Sequence, residues 1–205
     1  MISSKSNILI IGSTGRNTGK TEFACRIIEK NAARNKIIGI KVIPADKNET
    51  SCHRGEEGCG LCDSLTGDYE IIEETANDLD KDTSKMLKAG AEKAYLLLVD
   101  RHCLEAGINA LLKIIPEHTL IVIESNSIRK VIEPGLFIVI KRSMSNSVKQ
   151  SCAEVIEFAD KIIEFNDLNW DFPPGKVSIQ NESWVISEKD GSIMQAGSDI
   201  VSGSA

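Results

Sequence analysis

The stretch Asn7-Ile-Leu-Ile-Ile-Gly-Ser-Thr-Gly-Arg-Asn-Thr-Gly-Lys-Thr21 decides the fold. Ile8, Leu9, Ile10 and Ile11 form an unbroken apolar run, which suits a strand buried on both faces. Gly12, Gly15 and Gly19 follow within eight residues, and a helical pattern over 21–35 then places Phe23, Ala24, Ile27, Ile28 and Ala32 on one face. In a strand–turn–helix of this kind, N–H groups of the turn and of the first helical turn point together at an anion. The helix dipole adds to the field there. Gly19-Lys20-Thr21 supplies the rest of a phosphate-binding loop. The Lys20 ammonium reaches the β- and γ-phosphates and the Thr21 hydroxyl takes a Mg²⁺ position, with Gly15, Asn17, Thr18 and Gly19 cradling the anion. The usual pattern has glycine at position 14, where this chain has Thr14.

Outward from the loop, short apolar runs alternate with helical patterns. Strands are expected at 36–43 (stopped by Pro44), 95–99, 120–123, 137–140 and 161–165. Helices are expected at 84–89, capped by Asp82 or Thr83 and followed by Gly90, at 104–115 before Pro116, and at 146–159. The alternation predicts an α/β protein, a mostly parallel sheet covered by helices on both faces, the three-layer fold of P-loop NTPases. Residues 1–166 would form the nucleotide-binding domain, interrupted by an irregular stretch at about 45–80. Residues 167–205 would be an extension with a hairpin from 177–179 and 184–186 and a frayed tail.

Such a site also needs a carboxylate at a neighbouring strand end, to hold Mg²⁺ or to polarise water. Asp46, Asp100 and Glu124 each follow a predicted strand, on the sheet edge where open α/β folds bind ligands.

The chain has 205 residues and a net charge of −6, which argues against general binding to nucleic acid or an anionic membrane. The charge is unevenly placed. Residues 44–85 hold 12 acidic and 4 basic side chains, a balance of −8 that leaves the remainder near +2. No run approaches the roughly 20 apolar residues of a membrane span, and Ile8 to Ile11 is too short for a signal-peptide core. A cytoplasmic protein is expected, where clustered cysteines read as metal ligands or redox thiols.

Four pieces of the chain, in order over about residues 7–142, resemble the MobB family of P-loop proteins that accompany molybdopterin-guanine dinucleotide synthesis. They are the degenerate glycine loop, the Ala33-Arg-Asn-Lys-Ile-Ile-Gly-Ile-Lys41 segment, Asp80-Lys-Asp-Thr-Ser-Lys-Met-Leu-Lys-Ala-Gly-Ala91 and Leu120-Ile-Val-Ile-Glu124. The third is the most specific. The chain departs from the family where histidines usually follow the Ile-Lys pair, having Val42-Ile-Pro44 there, and has Ser125 in place of glycine. The resemblance implies a GTP- or ATP-binding site, dimerisation and a role in molybdenum-cofactor or other metal-cofactor assembly beside a protein partner. It makes Glu124 the catalytic carboxylate with Lys20, sets Asp82 near the nucleotide, and puts Lys141 where related GTPases read the base.

The family pattern lacks Cys52-His53-x5-Cys59-x2-Cys62. Three thiolates, with or without the His53 imidazole, could hold Zn²⁺ or an iron–sulfur cluster, and His102 or Cys103 after another strand could complete the set. Cys25 and Cys152 fall on apolar helix faces and read as core residues. The leading expectation is a nucleotide-driven accessory protein for cofactor assembly. Alternatives are a small P-loop kinase and a nickel-insertion GTPase, the latter without its usual histidine-rich stretch. Protein purified without oxygen should carry zinc or iron by elemental analysis and lose it when Cys59 and Cys62 are both replaced. Metal-free wild-type protein would refute this.

Overall fold

The computed structural model describes residues 3–45, 65–75, 81–145 and 147–187. It is an α/β three-layer structure built on a seven-stranded sheet. The strands are β1 (Ser3–Ser13), β2 (Ile37–Ala45), β3 (Tyr69–Glu73), β4 (Lys93–Asp100), β5 (Leu120–Glu124), β6 (Ile132–Arg142) and β7 (Lys161–Phe165). Their order across the sheet is β3-β4-β2-β5-β1-β6-β7. All neighbours run parallel except the edge pair β3–β4.

The period-2 alternation of each strand divides the core. Ile8 and Ile10 of β1 face one side, joined by Ile38, Ile40, Leu97, Ile123 and Val139 beneath α3 (Leu104–Ile114) and α4 (Gln150–Ala153). Leu9 and Ile11 face the other, with Val122, Ile138 and Ile163 beneath α1 (Lys20–Ala32) and α2 (Asp82–Lys88). All four β1 side chains are fully buried, as the central position of this strand demands. The chain leaves β1 toward the α1 face, whereas after β5 it turns through residues 127–130 toward the α3 face. Neighbouring strands that exit to opposite faces open a crevice at their C-terminal ends.

Several sequence boundaries need correction. Pro44 does not stop β2: it pairs with Val99, and β5 has already ended opposite Lys41, so no partner on that side asks for the missing N–H. The helix expected over 146–159 is reduced to the four residues of α4 and a 3₁₀ turn at Ile156–Phe158. Lys149 stays extended, its N–H donating to the Thr14 carbonyl at 2.9 Å, and Asp160 must turn back to bond Phe137 at both backbone N–H (2.7 Å) and carbonyl (2.9 Å). The antiparallel edge strand β3 falls inside the stretch read as irregular. Asp46, Cys52, His53, Cys59 and Cys62 lie outside the described residues, as does the tail at 197–205. Among the described residues no helix is long and apolar enough to cross a membrane.

The expected C-terminal hairpin forms as β8 (Val177–Gln180) and β9 (Ser183–Ile186). It packs on the α1 face, where Trp184 is 1% exposed and its indole N–H donates to the Asn7 carbonyl at 3.0 Å. Trp184→Ala should therefore cost about 3–5 kcal/mol in urea unfolding, from the cavity and the orphaned carbonyl. A loss below about 1 kcal/mol would show the hairpin to be peripheral.

Candidate functional site

The glycine loop begins where β1 meets β6 and ends at the first residue of α1. Asn126 clamps its start: the Ser13 N–H donates to Asn126 Oδ1 at 2.7 Å and Asn126 Nδ2 donates to the Ser13 carbonyl at 3.0 Å. Only glycine fits at position 12, because a Cβ there would lie 2.5 Å from Asn126 Oδ1. Thr14 departs from the phosphate-loop pattern without strain. Its N–H donates to the Ile140 carbonyl at 3.0 Å, and its φ lies outside the left-handed region that favours glycine. Asn17 and Gly19 do adopt left-handed conformations, with φ of 52° and 69°, turning the chain into α1. Gly19 also lies under Trp170, whose ring a Cβ would approach to 3.1 Å. Gly15 has open space beside it.

Beyond the loop, Lys20, Thr21, Lys41, Asp82 and Glu124 converge. Glu124 ends β5 at 2% exposure, opposite Ile11 of β1 and Lys41 of β2 in register. Its Oε1 receives the Lys20 ammonium at 3.1 Å and the Lys41 ammonium at 2.6 Å. Lys41 also meets Asp82 Oδ2 at 2.8 Å. The Thr21 hydroxyl lies 2.8 Å from Glu124 Oε2 and 3.0 Å from Asp82 Oδ1, with one proton to give to either. Asp82 is thus drawn into the site and does not cap α2, whose cap position is Lys81.

Burial alone would raise the Glu124 pKa, but Lys20 and Lys41 outweigh it and hold the carboxyl below its ordinary value. Asp82 follows the same pattern, with burial opposed by Lys41 and by the Thr21 hydrogen bond. Both carboxylates are ionised at neutral pH.

The strand-end candidates separate cleanly. Glu124 joins the glycine loop, whereas Asp100 Oδ1 accepts the His102 N–H at 2.9 Å and caps the turn Arg101–Cys103. Lys141 pairs with Glu164 of β7 at 2.8 Å, and both remain partly exposed. Cys152 is buried in the core, and the Cys25 thiol is pushed up to about 12, first by burial and then by Glu22, Glu124 and Asp82. Such thiols are unreactive. Lys41 was not singled out from sequence, although a lysine inside the apolar run of β2 requires a buried counter-charge. Asn126 carries no such signal.

Two features bear on what the site could hold. Thr18 is 2% exposed and its hydroxyl has no hydrogen-bond partner among the described residues. Asp82 and Glu124 set hard oxygen donors on the one Lys41 ammonium, and the Thr21 hydroxyl lies against both carboxylates, an arrangement a small divalent cation also satisfies. Among the described residues no three His, Cys, Asp or Glu side chains gather as a metal site, so the protein alone offers two carboxylates and a hydroxyl. That count suits Mg²⁺ shared with phosphate oxygens. A cleft of about 510 Å³ opens from Lys20, Lys41 and Glu124 toward Ser125, Lys149 and Ser151.

No family model, curated protein or solved structure matches the chain.

Because both carboxylates titrate below their unfolded values, their stabilisation is complete above about pH 4.5 and is lost as pH falls through the folded values. Glu124→Gln should remove most of that acid-side loss and cost about 1–3 kcal/mol at pH 7, since it leaves the half-buried Lys20 ammonium without its anion and Lys41 with Asp82 alone. Urea unfolding between pH 3 and 7 checks both; an unchanged pH profile would contradict the network.

Proposed function

We propose that the chain is a MobB-like P-loop protein that binds Mg²⁺ and a nucleoside triphosphate, GTP or ATP, and hydrolyses it slowly. The observation carrying this reading is the meeting of Lys20 and Thr21, at the start of α1, with the buried Glu124 and with Asp82. In this reading the triphosphate lies over the loop 12–21, with its terminal phosphates at Lys20 and the α1 N-terminus. The orphaned Thr18 hydroxyl gains an acceptor there. Thr21, Asp82 and Glu124 hold the Mg²⁺, which when bound neutralises the phosphate oxygens and favours departure of the terminal phosphate.

The protein's own groups supply order. Glu124 keeps the Lys20 ammonium extended toward the phosphates and, being ionised, offers an acceptor that orients a water. Lys41 balances the second negative charge, so that two carboxylates can stay ionised side by side in a buried place.

The cellular role follows from the same resemblance. The chain would act as an accessory or adaptor in molybdenum-cofactor or other metal-cofactor assembly, as a homodimer beside a partner protein. Its cysteine segment would bind Zn²⁺ or an iron–sulfur cluster. Ala45, the last described residue before that segment, pairs with Asp100, next to the turn bearing His102 and Cys103. Nucleotide state would then be felt along one sheet edge by the metal-bearing segment.

Calorimetric titration with GTP and with ATP tests the core of this proposal. One of them should bind with an affinity that depends on Mg²⁺, and Lys20→Ala should weaken it by at least about tenfold, or 1.4 kcal/mol. Wild-type protein that binds neither would end the nucleotide reading.

A further inference from the structure

Four ammonium groups, from Lys20, Lys41, Lys130 and Lys149, line the cleft that opens at Glu124, together with the Arg101 guanidinium. The first two are matched by Glu124 and Asp82. Lys149 has no hydrogen bond or ion pair from its ammonium among the described residues. Lys130, the next cation along the wall, is taken by Glu154. Desolvation, with Lys20 and Lys41 acting in the same direction, pulls Lys149 down to about 8. Lys149 is exposed to the cleft and adds its charge to those of Lys20 and Lys41, so the positive field there favours an anion.

The hydroxyls beside it point to the same kind of ligand. Ser125 Oγ accepts the Ile128 N–H at 3.4 Å, and Ser151 Oγ accepts from Asn126 Nδ2 at 3.3 Å. Each oxygen is used as an acceptor, and neither O–H finds an acceptor among the described residues. Lys149, Ser125 and Ser151 thus offer one ammonium and two hydroxyl protons, while the carboxylates of the same lining, Glu124 and Glu154, are already paired with lysines. A carboxylate offers two oxygens in one plane, whereas a phosphate monoester offers three oxygens in a tetrahedral fan. Lysine serves phosphate as a point charge. The volume of about 510 Å³ leaves room for a metabolite-sized body behind the phosphate.

We propose that this cleft, across the sheet edge from the glycine loop, binds a second ligand, a phosphorylated small molecule whose phosphate rests on Lys149, Ser125 and Ser151. The loop serves the nucleotide, and the cleft places this second phosphate beside the nucleotide's terminal one. The inference deepens the nucleotide reading and rests on it for the word "second".

The test is calorimetric titration of inorganic phosphate into the full chain, alone and saturated with Mg²⁺ and a non-hydrolysable triphosphate. Phosphate should still bind the saturated protein, and better than acetate. Lys149→Met should weaken it by about tenfold or more while triphosphate affinity stays within about twofold, and Lys149→Arg should restore most of it. In phosphate-free buffer Lys149→Met should unfold as cooperatively as wild type, which shows that the variant folds. Complete exclusion of phosphate by the triphosphate, equal binding to Lys149→Met, or no preference over acetate would overturn the proposal. If no triphosphate binds wild-type protein, the nucleotide reading fails by itself. Loss of phosphate in Lys149→Met would then still uphold an anion site in the cleft.

Discussion

A single buried carboxylate organises this molecule. Glu124 ends a strand whose every residue is buried, and an ionised group there is tolerable only if cations reach it. Lys20 and Lys41 do so from two different elements, and Thr21 adds a hydrogen bond from a third direction. Asp82 completes a set of two positive and two negative groups. Charge balance therefore ties β2, β5, α1 and α2 together at one point of the sheet edge. The loop before α1 and the helix α2 are both held by the same atoms that would face a ligand.

Packing explains why these atoms coincide. Gly39 lies two residues before Lys41 on the same face of β2, and a Cβ there would stand 2.7 Å from the Met86 sulfur. The missing side chain lets α2 settle close on the sheet with Met86 fully buried. Asp82, one helical turn before Met86, is thereby carried to the Lys41 ammonium. On the other side, Asn126 reads both backbone groups of Ser13 and fixes the loop against β5. Ordinary core contacts thus set the positions of ionic groups to within a hydrogen bond's tolerance.

The parts of this arrangement that were legible in the sequence are those written in local order. The run Ile8 to Ile11, the glycines and Lys20-Thr21 are contiguous, and Glu124 follows its strand directly. The short segment around Asp82 was recognised as a helix start, yet local rules made Asp82 a cap, whereas a charge on a distant strand claims it. Asn126 was invisible because its role depends on a partner 113 residues away. β3 escaped notice because it is an exposed edge strand, with Ile71 alone packing against the core. The broken helix near α4 shows periodicity losing to tertiary demand: Cys152 and Val155 remain buried, but the backbone is needed elsewhere, at Thr14 and at Phe137.

Asp100 is a knot in the chain's path. Ala45 pairs with it from β2, while its own N–H donates to the Asp68 carbonyl at 2.8 Å, just before β3 runs back along β4. The two strands flanking β4 stand about two strand spacings apart, near 10 Å. Outgoing and returning chain are thus fastened at one strand end, where Leu65 of the returning chain is buried against Ile43, Ala45 and Leu98. Between ends held this close, the closure entropy of a connecting stretch grows slowly with its length, about 0.6 kcal/mol for each doubling. The acidic, cysteine-bearing segment occupies that slot. That slot opens at the end of β4, two strands across the sheet from Glu124 and its cations.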